Sequence, residues 1–502
     1  MNLRKNSLSV SVGGMIRLVV NLAAIPLLIR LLGIDRYGIW TTINAQIGLL
    51  TLAEMGVSTA LLYRLAGFLA LKDEQSINRS IGTGLTMVVG FGVTFSLLYF
   101  FFTPLITNTF REFSAEPMLL TSLRISAFIV LPKILMLFFA SIEAAYQRYD
   151  LQAFIDTAVT VLLQAGAVLI AWQKGELSML FYWLLFISLI GILAHVFVTS
   201  RVLGIKYKQI IFSKLEAGNL WRFGAQHWVS SLGSSLFGQM DRILVNAILG
   251  PAVSGVYAAA TSIAIKVNEL SAIPIKVITP AVSAEMADGN LAHVRRVFTK
   301  ATRLNGIAVL LVALPLIYWA DIVAKIVVTG DTSAVFSALL PLLTFIYGVY
   351  SLGASGFFLM LGLGKPKVNA VWGIIGGLGL CAAMVPLALK FGLPGAVWAN
   401  AAYIVVIAIN FHGAKLLGMN RAAYALTFAR SVIVLAVWLV FTHLFPPAEL
   451  ALIWRIVIFF AAGAISIFLA VGMSEVKELY RQLVKHFHQQ SISTSNERDP
   501  GK

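Results

Sequence analysis

Long apolar segments recur along nearly the whole chain and are separated by short polar stretches. A helix of about 20 apolar residues crosses the hydrocarbon core of a bilayer, which is roughly 30 Å thick. The pattern therefore predicts an all-α polytopic membrane protein with about fourteen transmembrane helices. The predicted spans are residues 8–32, 38–64, 81–107, 120–146, 152–172, 178–200, 221–249, 252–280, 303–328, 334–362, 369–390, 394–416, 423–446 and 451–472.

Composition and charge fit this interpretation. Of the 502 residues, 59% are hydrophobic and 12% are charged, and the mean hydropathy is +0.86, which excludes a soluble globular protein. With the amino terminus inside, 24 of the 38 Lys and Arg residues fall in inner loops or termini, so both termini are predicted to be cytoplasmic. The net charge of +16 then reflects topology and contact with membrane lipids, and no nucleic acid is expected to bind.

The polar stretches are too short to form a soluble catalytic domain. The segment "SEVKELYRQLVKHF" (474–487) is predicted to be an amphipathic helix on the inner leaflet, followed by a disordered end. The single cysteine, Cys381, excludes an intrachain disulfide and a multi-cysteine metal site. No cofactor is predicted.

One turn motif occurs twice, 217 residues apart, and reads L-G, four variable residues, G, one residue, and then Trp or Tyr. The glycines are expected to allow a sharp reversal and close backbone approach, and the aromatic residue is expected at the membrane interface. Two homologous six-helix lobes, related as parallel repeats, would produce this pattern. The predicted domains are an N-terminal lobe at 1–214, a C-terminal lobe at 215–418, an additional helix pair at 419–473 and a cytoplasmic tail at 474–502. The motif positions are Leu32, Gly33, Gly38 and Trp40, then Leu249, Gly250, Gly255 and Tyr257.

Ten ionisable residues lie well inside predicted spans, where each costs roughly 2.5–3.5 kcal/mol on insertion scales unless it meets water, a partner or a ligand. A water-filled cavity between the lobes would hydrate them, and its cationic excess favours an anionic passenger such as a phosphate-bearing lipid head group. On a regular helix, Lys266, Glu269 and Lys276 would share an arc of roughly 80°. The candidate cargo-binding residues are Arg17, Glu54, Asp241, Arg242, Lys266, Glu269 and Lys276; the other three charges are Arg124, Lys133 and Glu143.

A second interpretation makes these charges interhelical structural pairs: Asp241 with Arg242, Lys266 with Glu269, and Glu54 with Arg17. Two histidines inside spans, His195 and His227, are either proton relays or hydrogen-bonded packing residues.

Catalytic signatures are absent from the sequence. It has no G-x-x-x-x-G-K-[ST] motif for ATP, no H-E-x-x-H and no Cys/His cluster. A membrane-embedded glycan polymerase or transferase, the rival class, would place catalytic carboxylates in a sizeable loop. Only scattered loop acids are present, so the chain is not expected to be an enzyme.

Three stretches carry a family resemblance: "LLGIDRYGIW…LLTLAEMGVSTALLYRLA" (31–66), "FGQMDRILVNAILGPAVSGVYAAATSI" (237–263) and "PIKVITPAVSAEMA" (274–287). In their order and spacing they resemble the bacterial polysaccharide (O-antigen) flippases of the multidrug/oligosaccharidyl-lipid/polysaccharide (MOP) exporter superfamily. On this resemblance, Glu54 takes the acidic position before Gly56, and Asp241 takes the acidic position that precedes the second Leu-Gly turn.

The resemblance implies a transporter of the bacterial inner membrane that flips an undecaprenyl-pyrophosphate-linked oligosaccharide by alternating access, for O-antigen, capsule or exopolysaccharide assembly. It implies an anionic lipid-linked oligosaccharide and membrane lipids as partners, with polysaccharide polymerase or assembly proteins as further candidates. Lipid II flippases and cation-coupled multidrug exporters of the same superfamily are the alternatives. The cationic excess and the extra helix pair argue against the drug exporters.

Overall fold

The structure, a computed structural model, describes residues 3–115, 117–205 and 211–471. Within these ranges all regular secondary structure is helical, which confirms the predicted fold class. The predicted tail helix at 474–487 lies outside the described residues. The α-helices are α1 (Leu3–Leu32), α2 (Ile34–Leu50), α3 (Val57–Leu71), α4 (Glu74–Thr107), α5 (Pro117–Ala145), α6 (Tyr149–Trp172), α7 (Leu177–Phe197), α8 (Lys214–Ser235), α9 (Asp241–Leu249), α10 (Pro251–Ala264), α11 (Lys266–Ser271), α12 (Ile278–Ala287), α13 (Leu291–Tyr318), α14 (Ala320–Val327), α15 (Thr332–Ser351), α16 (Ala354–Gly362), α17 (Pro366–Ala399), α18 (Ala408–Leu416), α19 (Arg421–Leu444) and α20 (Leu452–Val471).

Each predicted span coincides with helical residues, but the predicted count of fourteen membrane helices is not confirmed. In the described residues, eleven helical stretches are long and apolar enough to cross a membrane, or twelve if the bent pair of α2 and α3 is one span. The predicted spans 369–390 and 394–416 lie in one apolar stretch, Pro366–Leu416. The predicted span 221–249 is helical through α8, a π-helical turn at Leu236–Met240 and α9, but it is not among the eleven, because this stretch carries many polar residues.

Two backbone breaks within long helical stretches coincide with glycines. Between α2 and α3 the chain passes through Met55 and Gly56, both in the left-handed region, and bends by 45°. Within α17, Gly392 has a φ of 63° and lies two residues before Pro394. Only glycine adopts such φ values without a steric penalty from Cβ, so Gly56 and Gly392 allow the chain to bend at these two places.

The described residues form two compact units. The first contains the chain up to Ile263 together with Asp321–Leu339 and Pro366–Val406. Inside it, α3, α4 and α5 pack around fully buried apolar residues such as Leu61, Ile81 and Phe138, while α7 packs on α5 and α6, and α1 on α6. Between lipid-embedded helices close packing, and not exclusion of water, is the main attraction.

The second unit contains Ala264–Ala320, Leu340–Lys365 and the described residues from Ile407 onward. Its central helix is α13, which packs against α11, α12, α16, α19 and α20. A buried polar network crosses this unit: the Thr302 hydroxyl lies 3.1 Å from the Ser355 hydroxyl and 2.9 Å from that of Tyr424, and Ser355 donates to Asn410 Oδ1 at 3.2 Å. The network ties α19 to the helices that precede it.

The end of α13 is held by an aromatic cluster. The guanidinium of Arg455, on α20, lies 4.5 Å from the ring centroid of Trp319, and Trp438 on α19 donates from Nε1 to the Ser466 hydroxyl at 2.7 Å. Helices α19 and α20, predicted as an additional pair, therefore pack on α13 within this unit. The predicted domain boundaries at 214 and 418 stay a prediction.

Candidate functional site

The two copies of the repeated turn have the same backbone conformation and contact each other within the first unit. Gly33 has φ 84° and ψ 160°, and Gly250 has φ 88° and ψ 171°, values open only to glycine. A Cβ on Gly38 would lie 2.1 Å from the Pro251 carbonyl oxygen, and one on Gly255 would lie 2.3 Å from that of Ile34. Each copy of the motif therefore supplies a glycine to one backbone contact.

The aromatic residues of the two motifs do not lie where the sequence predicted. Trp40 is 7% exposed and Tyr257 is fully buried, so neither faces lipid head groups. Trp40 packs on Phe181 with ring centroids 4.8 Å apart, and Tyr257 donates from its hydroxyl to Asp241 Oδ2 at 2.9 Å. The prediction of interfacial positions is wrong, because neighbouring helices of the unit cover both rings.

A second close approach joins α3 and α8. A Cβ on Gly56 would lie 2.3 Å from the Gly224 carbonyl oxygen. Nearby, Arg64 makes two hydrogen bonds to Glu216, from Nε at 2.6 Å and from Nη2 at 2.7 Å, and the Ser80 hydroxyl donates to Glu216 Oε1 at 2.6 Å.

Glu216 is 5% exposed. Burial, the largest influence, raises the pKa of the Glu216 carboxyl, but hydrogen bonds from Arg64, Ser80 and Asn219 leave that pKa below its usual value. Sequence reasoning missed this network, whose members lie at or beyond the ends of predicted spans.

Asp241 and Arg242 lie in the first unit and face different partners. Asp241 is 1% exposed, and the Tyr257 hydroxyl that it binds also accepts from Asn400 Nδ2 at 2.8 Å. Arg242 donates from Nη2 to the Ser262 hydroxyl at 3.0 Å. Because adjacent helical residues point about 100° apart, these two charges do not form the ion pair that the structural interpretation predicted.

Arg17 and Glu54 also lie in the first unit and also do not pair with each other. Arg17 Nη1 lies 3.9 Å from Asp156 Oδ2 and 3.4 Å from the Thr157 hydroxyl, both on α6. Glu54 accepts from the backbone N–H of Ser58 at 3.1 Å and from the Ser58 hydroxyl. Asp156 was not among the ten predicted intramembrane charges, although it lies inside the predicted span 152–172.

In the second unit, Lys266 and Glu269 form the predicted pair, with Nζ 2.7 Å from Oε2, within α11 and not between helices. Lys276 is exposed. The arc predicted for Lys266, Glu269 and Lys276 assumed a regular helix, but the chain breaks after α11 into a tight turn at Ile273–Ile275, which contains Pro274. Four candidate residues therefore lie in one unit and three in the other, and a single cavity lined by all seven stays a prediction.

Two of the three remaining intramembrane charges, Glu143 and Arg124, contact partners in the first unit. His195 Nδ1 lies 2.8 Å from Glu143 Oε1, and both side chains are fully buried. Arg124 lies over the Phe100 ring, 5.7 Å from its centroid. The side chain of His227 lies outside the described residues.

Solved structures share this fold. A chain described as the lipid II flippase MurJ in an inward closed conformation has a TM-score of 0.70 and 14% identity, covering 95% of this chain and 99% of its own. An inward-facing multidrug resistance MATE family transporter of the MOP superfamily has a TM-score of 0.63 and 16% identity, covering 84% and 99%. A MOP superfamily transporter from Pyrococcus furiosus, described as having reverse polarity of its binding pocket, has a TM-score of 0.59 and 15% identity, covering 84% and 95%.

Fold and helix composition together define a multi-pass membrane protein with the fold of the MOP superfamily of transporters. The chain belongs to the family described as polysaccharide biosynthesis protein, whose sequence model matches residues 27–332. No curated protein sequence matches the chain. Family and fold confirm the membership that the three sequence stretches predicted.

Proposed function

We propose that this protein flips an undecaprenyl-pyrophosphate-linked oligosaccharide from the inner to the outer leaflet of the bacterial inner membrane by alternating access. The observation that carries the proposal is that a chain of the polysaccharide biosynthesis family has the fold of MOP transporters. The flipped lipid would supply the assembly of O-antigen, capsule or exopolysaccharide, where a polymerase is a candidate partner. The chain would act as a transporter and not as an enzyme, with both termini in the cytoplasm.

The intramembrane charges supply a mechanism for holding the pyrophosphate. Arg17, Lys266 and Lys276 would bind it, because guanidinium and ammonium groups form charge-assisted hydrogen bonds to phosphate oxygens. Two of these cations have a carboxylate nearby, Asp156 for Arg17 and Glu269 for Lys266. These carboxylates would pair with the cations when no cargo is bound. When the cargo enters, the cations would bind its pyrophosphate, the stronger anion, instead.

A lipid II flippase is the second candidate function. The observation that favours it is the likeness to the lipid II flippase MurJ, which extends over 95% of this chain. Its cargo would be equally anionic, so the same cations would serve. A multidrug exporter for cationic drugs is favoured less, because six of the ten predicted intramembrane charges are basic.

Translocation of a fluorescent undecaprenyl-pyrophosphate oligosaccharide in proteoliposomes tests the proposal, with lipid II and a cationic drug as competing cargoes. The double variant K266A/K276A is expected to reduce flipping by roughly tenfold or more, since each hydrogen bond to a charged group contributes about 1.5–3 kcal/mol. The control variant K365A/K367A removes the same charge from two exposed positions, the turn after α16 and the first turn of α17, and is expected to flip normally.

Each outcome identifies a different function. If the wild type flips the oligosaccharide lipid and K266A/K276A flips it at the same rate, the cationic site is refuted. Faster flipping of lipid II than of the oligosaccharide lipid would establish the second candidate. Lengthening or cleavage of the glycan without flipping would establish a membrane enzyme, and transport of the drug alone would establish an exporter.

A further inference from the structure

The buried contact between Glu143 on α5 and His195 on α7 has no role in the cargo mechanism above. Both side chains have zero exposure, and Nδ1 and Oε1 lie 2.8 Å apart. The other His–Glu contact in the described residues, His293 with Glu285, is longer at 3.5 Å and has a histidine side chain that is 42% exposed. Ionisable pairs this deeply buried inside a membrane domain commonly mark ion or proton pathways.

One polar atom of each side chain is buried without a hydrogen-bond partner among the described residues: Glu143 Oε2 and His195 Nε2. If Nδ1–H donates to the carboxylate, Nε2 keeps a free lone pair and the pair carries a net charge of −1. A proton added at Nε2 gives an imidazolium facing a carboxylate, and the pair becomes neutral. Because burying a net charge is costly, the pair by itself favours holding one proton.

Charged residues on the neighbouring helices interact with this pair. Asp156 on α6 interacts electrostatically with His195, Arg17 and Lys133. With His195 neutral, Arg17 compensates one of the two carboxylates of this group, Asp156 and Glu143. The remaining charged residues of α5 and α6 are engaged elsewhere: Arg124 lies over Phe100, and Asp150 accepts from Arg148 Nε at 2.9 Å.

Arg17 connects this pair to the proposed cargo site, because it also contacts Asp156. Its Nη1 lies 3.9 Å from Asp156 Oδ2, at the limit of an ion pair, and its side chain is 29% exposed. When Arg17 turns from Asp156 to an anion, the group loses one positive charge and a proton becomes favourable. When His195 is protonated, Asp156 has a second cation nearby and holds Arg17 less tightly.

We propose that Glu143 and His195 form a proton-binding site whose occupation releases Arg17 from Asp156, so that one proton and the anionic head group of the cargo bind together. This inference rests on the proposed function, since Arg17 is one of the proposed cargo ligands. Coupling between two sites is reciprocal. Protonation must therefore raise the affinity for the cargo by the same factor as the cargo raises the affinity for the proton.

Binding of a fluorescent polyprenyl-pyrophosphate oligosaccharide to the full-length protein in nanodiscs tests the coupling between about pH 5 and about pH 8, the range in which histidine titrates. Both phosphates of this probe are esterified, so its own charge is constant there. Wild-type affinity is expected to rise by at least roughly fivefold toward acid pH, the lower end of usual site-to-site coupling. H195Q and E143Q are expected to show no such rise, whereas H293Q, at the exposed His–Glu contact, retains it.

Proton uptake provides a second measurement on the same samples. In weak buffer with an indicator dye, probe binding to the wild type is expected to take up a fraction of a proton, and probe binding to H195Q none. If H195Q and E143Q both fold, bind the probe and keep the wild-type pH dependence and proton uptake, the proton site is refuted.

A failure of the cargo assignment is distinguishable from a failure of the proton site. If the wild type binds no probe at any pH, the proposed function is wrong. The proton site is then judged by acid–base titration of the protein in nanodiscs without cargo. A loss of one titrating proton in H195Q relative to the wild type supports the site; no difference refutes it.

Discussion

The contact between the two repeated turns makes a quantitative prediction for Gly38→Ala. The added Cβ would lie 2.1 Å from the Pro251 carbonyl oxygen, roughly 1.2 Å inside an ordinary carbon–oxygen contact of about 3.3 Å. The atom it meets is backbone and not a flexible side chain, so α2 and α10 must move apart. Overpacking of this kind costs about 1–3 kcal/mol.

Separation of these helices also stretches the contact between the Thr42 and Ser254 hydroxyls, which lie 3.2 Å apart. The loss of this hydrogen bond adds about 0.5–1.5 kcal/mol. Gly255→Ala has the matching effect from the other side of the contact, where its Cβ would lie 2.3 Å from the Ile34 carbonyl oxygen. Once one substitution has moved the helices apart, the second meets less obstruction.

The assay is chemical unfolding in mixed micelles, followed by tryptophan fluorescence, for G38A, G255A and the double variant. Each single variant is expected to lose about 1.5–4.5 kcal/mol of unfolding free energy, and the double variant less than the sum by at least about 0.5 kcal/mol. Gly90→Ala is the control, because a Cβ at this position in α4 meets no atom within 4 Å. The reasoning is refuted if G38A is as stable as G90A, or if the two single costs add fully.

Three further substitutions test other parts of the structure. Glu216→Gln is expected to lower the unfolding free energy by about 1.5–3 kcal/mol, because Arg64 loses a charged partner; an unchanged thermal unfolding curve would contradict this. Thr302→Val is expected to lower the unfolding free energy by about 1–3 kcal/mol, because it leaves buried hydroxyl groups without a partner. The control Thr299→Val loses only a hydrogen bond within its own helix and is expected to change the unfolding free energy little. Equal unfolding free energies of the two variants would refute the buried network. Asp73 caps α4, and hydrogen bonds from Ser76 lower the pKa of its carboxyl. The cap therefore stabilises the helix above the usual carboxyl pKa, and this stabilisation is lost as pH falls through the lower pKa of the folded state. Hydrogen exchange at residues 75–77 should accelerate in that pH range, and Asp73→Ala should abolish this pH dependence.

The sequence predicted the helices well because a span is specified by its own residues. In a bilayer every backbone group must be hydrogen-bonded within the segment, so length and apolarity are sufficient to predict the helical stretches. The number of spans was predicted less accurately, because it was also inferred from length and apolarity alone. The polar helix α8 does not satisfy the apolar criterion, and the glycine break at Gly392 lies inside one continuous apolar stretch.

The candidate charges show which contacts can be predicted from residues close in sequence and which cannot. Lys266 and Glu269 lie three residues apart on one helix, and their pairing was predictable from spacing. Arg17 and Asp156 are 139 positions apart, and Glu143 and His195 are 52 apart. Neither contact follows from a helical period, because each depends on which helices pack and on how each helix is rotated about its axis.

The sequence by itself determined that this is an all-α membrane protein, which family it resembles, and that the same glycine turn occurs twice. Tertiary structure decided that the two turns contact each other, that Trp40 and Tyr257 are buried, and which partner each intramembrane charge faces. The physical reason is the range of the interactions. Backbone hydrogen bonding and transfer into lipid act within a single segment, whereas ion pairing and close packing depend on residues brought together from distant parts of the chain.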